Sequence, residues 1–440
     1  MMGQRLPTWV WAVLLAAHVL ALVWALGTGR WGFPDSDRYV QAAQNIWQHG
    51  ELYARPWPQT APSGQAVQEY TIRTLGYPVV VLIMGGAGGK PALLLIIQDL
   101  ASLLILAGIL RWWAARVLPG RKHWAMALLC VLTFPAQLIY ANAVMSETLL
   151  QAVVMAIAVL GVTFLQRRKI EVLAGIAAGT IVALLMKPVF YPLALVLTGV
   201  SVVAAWRLRN VWVAIVGVVP LVVVGLYMGW NQQRTGYFHF SSITDINLLH
   251  YNAAGVVRQL EGPQAEEVWV ANVLREAQAQ PSFAARQQLI QARAGAVLRT
   301  HPLVYARQHA LGMITFFLDP GRFDVSEFMG LPPLAEGGFL AQARSGGLWQ
   351  AIRRLPLGLV ALLGLLGVAN LARLALAALG FWRLGKSPDA LRHGRWIALG
   401  LLGYVAMLTG PLGAARFLVP VWPLLFGLAL WGIKDQPTDG

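Results

Sequence analysis

The sequence predicts an all-α polytopic membrane protein, with about ten transmembrane helices and further juxtamembrane helices outside the bilayer. Three observations predict it. Hydrophobic residues make up 57% of the chain and charged residues only 12%, whereas soluble domains carry about 25% charged residues. Mean hydropathy is +0.59, and apolar runs long enough for a hydrocarbon core of about 30 Å recur through most of the chain. Arginines and lysines gather on alternate ends of those runs, the pattern that sets topology. The 440 residues therefore read as one membrane domain, residues 1–440, rather than two or three soluble ones.

The expected spans fall near residues 8–27, 91–111, 124–141, 147–165, 171–187, 189–206, 211–230, 356–380, 396–410 and 412–432. The first run, Pro7 to Leu26, has no small-residue cleavage site and is longer than a signal-peptide core, so it reads as a retained span. Thr74 to Gly86 is too short to cross and reads as embedded at the surface. Leu303 to Leu318 carries Arg307 and His309 and reads as an amphipathic helix on the membrane. No fixed-period repeat and no inverted symmetry between halves is visible.

One side of the short loops receives Arg111, Arg116, Arg121, Lys122, Arg167, Arg168, Lys169, Arg207, Arg209, Arg383, Lys386, Arg392, Arg395 and Lys434; the other receives little beyond Lys187 and Arg416. The basic side is expected to be cytoplasmic, with both termini inside, as an even number of spans requires. Two long loops then lie outside: residues 30–90, and residues 231–355, where prolines divide a mainly helical segment. Glu266 to Gln280 and Ser282 to Arg299 show helical spacing there. The net charge of +15 does not point to nucleic acid, because no stretch interleaves basic residues with aromatics; topology, anionic headgroups and phosphate account for it. The single cysteine, Cys130, excludes an intramolecular disulfide. Tryptophans near span ends read as interfacial anchors.

The richest stretch for chemistry follows the first span. Phe33-Pro34-Asp35-Ser36-Asp37-Arg38-Tyr39 leads on through Ala43, Ile46, Trp47, His49, Gly50 and Tyr53. Two carboxylates thus stand where the chain leaves the bilayer, and a helix from Ser36 would bury Tyr39, Ala43, Ile46 and Trp47 on one face. The plainer alternative is that Asp35 or Ser36 only caps that helix. Glu147 opens a span, where it lines an acceptor site, orients an arginine, or merely favours the helix dipole. Asp99, beside Gln98 inside a span, reads as a packing group. In the second loop, Gly236 to Ser242 leads to Asp245, Asn247, His250, Tyr251 and Asn252, a mix of aromatic and short polar groups that suits sugar or phosphate and also suits an ordinary interfacial segment. The histidines show no tight metal-ligand spacing.

The string P-D-S-D-R-Y followed by A-A-Q-N-I-W-Q-H-G-E-L-Y resembles the first periplasmic loop of GT-C type glycosyltransferases, the superfamily of protein O-mannosyltransferases, the lipid A aminoarabinose transferase and bacterial arabinosyltransferases. Arg73-Thr74-Leu75-Gly76-Tyr77-Pro78 is similar to that family's R-T-P-G-Y-P signature, with Leu75 in place of a proline. Ser146-Glu147, Lys187-Pro188 and Arg416-Phe417 with Pro420 and Pro423 extend the likeness in the expected order over most of the chain. The resemblance implies a GT-C-like fold in a bacterial inner membrane and an active site on the periplasmic face. It implies inverting transfer of a sugar from a polyprenyl-phosphate donor to a lipid, glycan or protein of the cell envelope. An acceptor hydroxyl needs a positioned carboxylate to take its proton, and Asp35 matches the family's aspartate best, with Asp37 as the fallback. Neighbouring carboxylates are expected to raise each other's proton affinity. Charge building on the leaving phosphate calls for preorganised cations, and Arg73, Lys187, Arg234 and Arg416 are the candidates. Snorkelling to headgroups is the plainer role for Lys187 and Arg416, a structural pair with Glu69 or an aspartate for Arg73, and simple solvation for Arg234. Tyr39, Tyr77, Glu147, Asp245 and His250 are carried as substrate-binding candidates. Relatives differ in using a divalent cation, so no metal site and no cofactor is assigned. Two other functions stay open: transfer of a whole oligosaccharide, as in O-antigen ligases and oligosaccharyltransferases, and a non-enzymatic transporter or flippase.

Overall fold

The computed structural model describes residues 5–331, 356–387 and 389–433. Every regular element among them is helical, with no strand. The order is α1 Thr8–Thr28, α2 Ser36–His49, α3 Gly76–Ile83, α4 Ala92–Val117, α5 Arg121–Leu132, α6 Pro135–Ala141, α7 Glu147–Arg167, α8 Ile170–Met186, α9 Tyr191–Leu208 and α10 Val211–Thr235. It continues with α11 Ile243–Asn247, α12 Ala254–Glu261, α13 Pro263–Gln278, α14 Phe283–Thr300, α15 Pro302–Leu318, α16 Arg322–Met329, α17 Leu357–Leu384, α18 Asp389–Thr409, α19 Ala415–Leu418 and α20 Trp422–Ile433. The end of the second long loop and Lys434 lie outside the described residues.

Seven of these helices are long and apolar enough to cross a membrane: α1, α4, α7, α9 with the turn before it, α10, α17 and α18 with the turn after it. The protein is thus a multi-pass membrane protein, but the expected ten spans are not all met. Residues 124–141 form two helices bent by 58°, while α8, with 17 residues, and α20, with 12, are apolar but shorter than those seven. The bend has a local cause. Pro135 opens α6 without an N–H, and the residue before a proline is pushed out of helical geometry; Phe134 sits at φ −119°, ψ 75°. Carbonyls freed there are taken up from α17, where buried Arg373 donates to Cys130 O at 3.2 Å and to Thr133 O at 2.9 Å. An arginine at membrane depth normally marks such a partner.

A buried polar chain ties the spans together. His18 meets Ser102 at 3.0 Å, Gln137 donates to Ser102 at 2.8 Å, and Gln151 donates to Gln137 at 2.8 Å and to Val419 O at 2.5 Å. Because polar groups in an apolar interior must be satisfied, this chain fixes α1, α4, α6 and α7 against the segment that follows α19. The second loop builds a small core of its own from Leu249, Val273, Ala277 and Ile290. Its two expected helices are present as α13 and α14. Residues 303–318 are helical as expected, and α15 packs on α18, α19 and the turn Gly410–Leu412. The apolar segment around Thr74 holds only the eight-residue α3, with Tyr77, Pro78 and Val81 buried. In α2, Tyr39, Ala42, Ala43 and Asn45 are buried, but Trp47 is 77% exposed. The buried stripe runs one position earlier than expected, which turns Trp47 outward.

Candidate active site

Asp35 occupies the N-cap position of α2, yet its side chain makes no capping hydrogen bond. Ser36 does the local work: its hydroxyl accepts from Phe33 N–H at 2.8 Å and donates to Val144 O at 3.0 Å, clamping the start of α2 to the chain just before α7. The Asp35 carboxylate is left to point elsewhere. It receives Arg73 on Oδ1 at 2.5 Å and Arg416 on Oδ2 at 3.0 Å.

Both arginines are held by close backbone approaches. Arg73 precedes α3, whose first residue, Gly76, lies so near the end of α8 that a Cβ would stand 2.7 Å from Leu185 O. The same approach brings in Lys187, the residue just past α8. Arg416 rides on α19, and the Asp319 carboxylate fixes that helix by accepting from Ala415 N–H at 2.8 Å and Gly321 N–H at 3.0 Å. Behind it, a Cβ on Gly413 would lie 1.9 Å from Gly312 O, so α15 and the turn before α19 cross backbone to backbone. Lys187 donates to fully buried Glu147 at 2.5 Å, and its ammonium lies 5.3 Å from the Phe417 ring centre.

These groups line a cavity of about 400 Å³, whose other wall is formed by the second loop through Asp245, His250 and Arg286. Burial alone would raise the Asp35 pKa, but the charges and hydrogen bonds of Arg73 and Arg416 outweigh it and hold the carboxyl well below the usual range. The expected mutual raising by Asp37 is therefore overturned: Asp37 is exposed in the first turn of α2 and does not line the cavity. Burial presses the Lys187 pKa down, with Glu147 opposing it. Burial also works against the Arg416 charge, but Glu147 and Asp35 more than compensate and raise it. On the opposite wall, burial lifts Asp245 to about 6, against a hydrogen bond from Gln291 at 2.8 Å. His250 is lowered by burial and so favours the neutral imidazole.

Of the candidates named from sequence, Asp35, Tyr39, Arg73, Lys187, Asp245, His250 and Arg416 line this one cavity. Glu147 stands behind Lys187. Tyr77 is wholly buried, donates to Gln98 at 2.9 Å and meets Tyr39 edge-on at 4.7 Å, so it supports the wall rather than lining it. Arg73 does pair with an aspartate, and Glu69 goes instead to Arg38 and Arg55. Arg234 is not brought here: it stacks on Trp230 at 3.5 Å, donates to Leu52 O and Asn231, and lines a neighbouring cavity. Asp99 accepts from Asn142 at 2.9 Å, a packing contact as expected.

Sequence reading passed over Arg286. The signal was present, since Arg286 shares the buried face of α14 with Phe283, Ile290 and Ala294, and an arginine on an apolar face is unusual. Among the described residues no group of three or more His, Cys, Asp or Glu side chains is placed to hold a metal. No family model matches the chain, and no curated protein is similar to it in sequence.

Proposed function

We propose that the protein is an inverting glycosyltransferase that moves a single sugar from a polyprenyl-phosphate donor to a cell-envelope lipid, glycan or protein. The reading places it in a bacterial inner membrane, both termini cytoplasmic and the cavity on the periplasmic side. One observation carries it: a carboxylate held between two arginines, with a lysine beside them, in a cavity at the ends of membrane-spanning helices.

Arg73, Arg416 and Lys187 suit the phosphate of the donor, because guanidinium forks grip phosphate oxygens and all three cations are preorganised by packing. Paired with Arg73 and Arg416, Asp35 is a weak base, since two cations stabilise its ionised form. A donor phosphate shares those cations, which leaves burial to dominate and raises the proton affinity of Asp35. Donor binding thus arms the base. Asp35 then takes the proton of an acceptor hydroxyl as its oxygen attacks the anomeric carbon from the face opposite the phosphate. The bond from that carbon to the phosphate oxygen breaks, its electron pair stays on the oxygen, and polyprenyl phosphate leaves with the configuration inverted.

A cavity of about 400 Å³ is small within the range of about 300–1,000 Å³ for ligand sites, which favours one sugar over a whole oligosaccharide. The charges that line this cavity gather at span ends rather than at mid-membrane, where transporters place their sites. The test is transfer of radiolabelled sugar from polyprenyl-phosphate donors by membranes containing the protein. Asp35→Asn should abolish transfer while Asp37→Asn retains it; full transfer by both variants would overturn the assignment.

A further inference from the structure

A second cavity, of about 290 Å³, adjoins the first and is lined by Ser63 of the first loop, Arg234 at the end of α10, and Gln280, Ser282 and Arg286 where α13 turns into α14. Arg286 lines both cavities. It is 3% exposed, and its Nε and Nη1 meet no hydrogen-bond partner among the described residues. The Nε of Arg234 is likewise buried without a partner, while its two Nη atoms go to Leu52 O and Asn231. Among the described residues no carboxylate is found in this lining. The 18-residue α14 starts here, its Ser282 cap accepting from Ala285 N–H at 3.2 Å, so the positive end of its dipole faces the same space.

A buried guanidinium is costly unless something satisfies it. Arg73 and Arg416 have Asp35 for that purpose, and Arg286 has no such counterpart in the chain as described. Its free donors, a second arginine and a helix start all ask for negative charge with oxygen acceptors, which phosphate and carboxylate both supply. We propose that this second cavity binds an anionic group, phosphate or carboxylate, carried by the acceptor, with Arg286 as its main ligand and Arg234 beside it. The anion site stands on its own geometry; its assignment to the acceptor rests on the glycosyl-transfer reading. Since Arg286 faces both cavities, an acceptor anchored there extends into the space that Asp35 lines.

The test is equilibrium dialysis of the full-length protein in neutral detergent against radiolabelled inorganic phosphate. Wild type should bind at two sites, one lost in Arg73→Gln and the other in Arg286→Gln, each with affinity falling about tenfold or more. Gln280→Glu places a carboxylate in the second cavity without removing the arginine, and should weaken the same site by a similar factor; it decides the matter if Arg286→Gln fails to fold. Acetate that displaces phosphate only from the Arg286 site would support a carboxylate ligand, and failure to displace it would support phosphate. Unchanged phosphate binding in both Gln280→Glu and folded Arg286→Gln would overturn the proposal, ordered water then being all that Arg286 holds. A protein that binds phosphate at both sites yet transfers no sugar would sink the transferase reading and leave this site intact.

Discussion

The wall built by the first loop with the ends of α8 and α19 and the wall built by the second loop face each other across one cavity and handle charge in opposite ways. On the first wall Asp35, Arg38, Arg73, Lys187 and Arg416 each face an opposite charge, in Arg73 and Arg416, Glu69, Asp35, Glu147 and Asp35 respectively. On the second wall Asp245, His250 and Arg286 form no ion pair among the described residues. A ligand meeting the first wall must exchange ion-pair partners that are already in place, whereas at the second it supplies an opposite charge where the described residues supply none. The contrast extends to pH. Asp35 has a depressed pKa, so its contribution to stability is present above the ordinary carboxylate value of about 3.9 and is lost as pH falls toward its own lower one. Asp245 has a raised pKa, so its contribution is present below about 3.9 and is lost as pH rises through about 6.

The largest effect that would break or sharpen this contrast belongs to Asp35. Asp35→Asn should lower sugar transfer by about 10³-fold per folded molecule, the middle of the range for a positioned base; a loss under tenfold in the membrane assay would reduce Asp35 to a counterion. Next comes Glu147→Gln, which leaves Lys187 buried without its partner. Removing one member of a buried pair costs about 3–5 kcal/mol, read as a lower thermal unfolding midpoint in detergent, and an unchanged midpoint would show that the pair lies in contact with water. On the second wall, Asp245→Asn should remove a pH-dependent penalty. Relative to wild type it should gain roughly 2 kcal/mol between pH 4.5 and 7.5, since one pKa unit is worth about 1.4 kcal/mol; parallel stability curves would place Asp245 in solvent. Gly76→Ala pushes a Cβ into Leu185 O and should cost roughly 1–2 kcal/mol, together with weaker donor use as Arg73 and Lys187 are moved apart. The smallest effect is expected from exposed Asp37→Asn, within about 0.5 kcal/mol of wild type. A large change there would return Asp37 to the site.

Much of the first wall was legible because its residues sit at places where charge is otherwise scarce. Lys187 and Arg416 are nearly alone on their side of the short loops, and Asp35 and Arg73 flank recognisable turns. The second wall was only half visible. Asp245 and His250 stood out in a polar stretch, but Arg286 is hidden inside an ordinary amphipathic pattern, where only its register with Ile290 gives it away. Arg234 reads like the other candidate cations, and nothing in its local sequence tells that stacking on Trp230 turns it into the neighbouring cavity. Among the spans, hydropathy found the apolar runs but could not see the break at Phe134-Pro135 as a change of direction, although the proline itself was there to be read. The expected span 171–187 matches α8 closely, but hydropathy could not tell that the run 412–432 divides into α19 and the short α20, because the apolar residues around Val419 continue the run in sequence while the helix breaks.

The crossing of Gly312 with Gly413 carries a consequence for motion. Two backbones in van der Waals contact, with no side chain between them to bend, cannot slide past each other by rotamer adjustment. A tilt of α15 would therefore press directly on the turn before α19, the helix that carries the Arg416 guanidinium. On the transferase reading proposed above, an acceptor docking on the outer helices would retune the grip on the donor through that contact, so binding of one substrate would be felt in the affinity for the other.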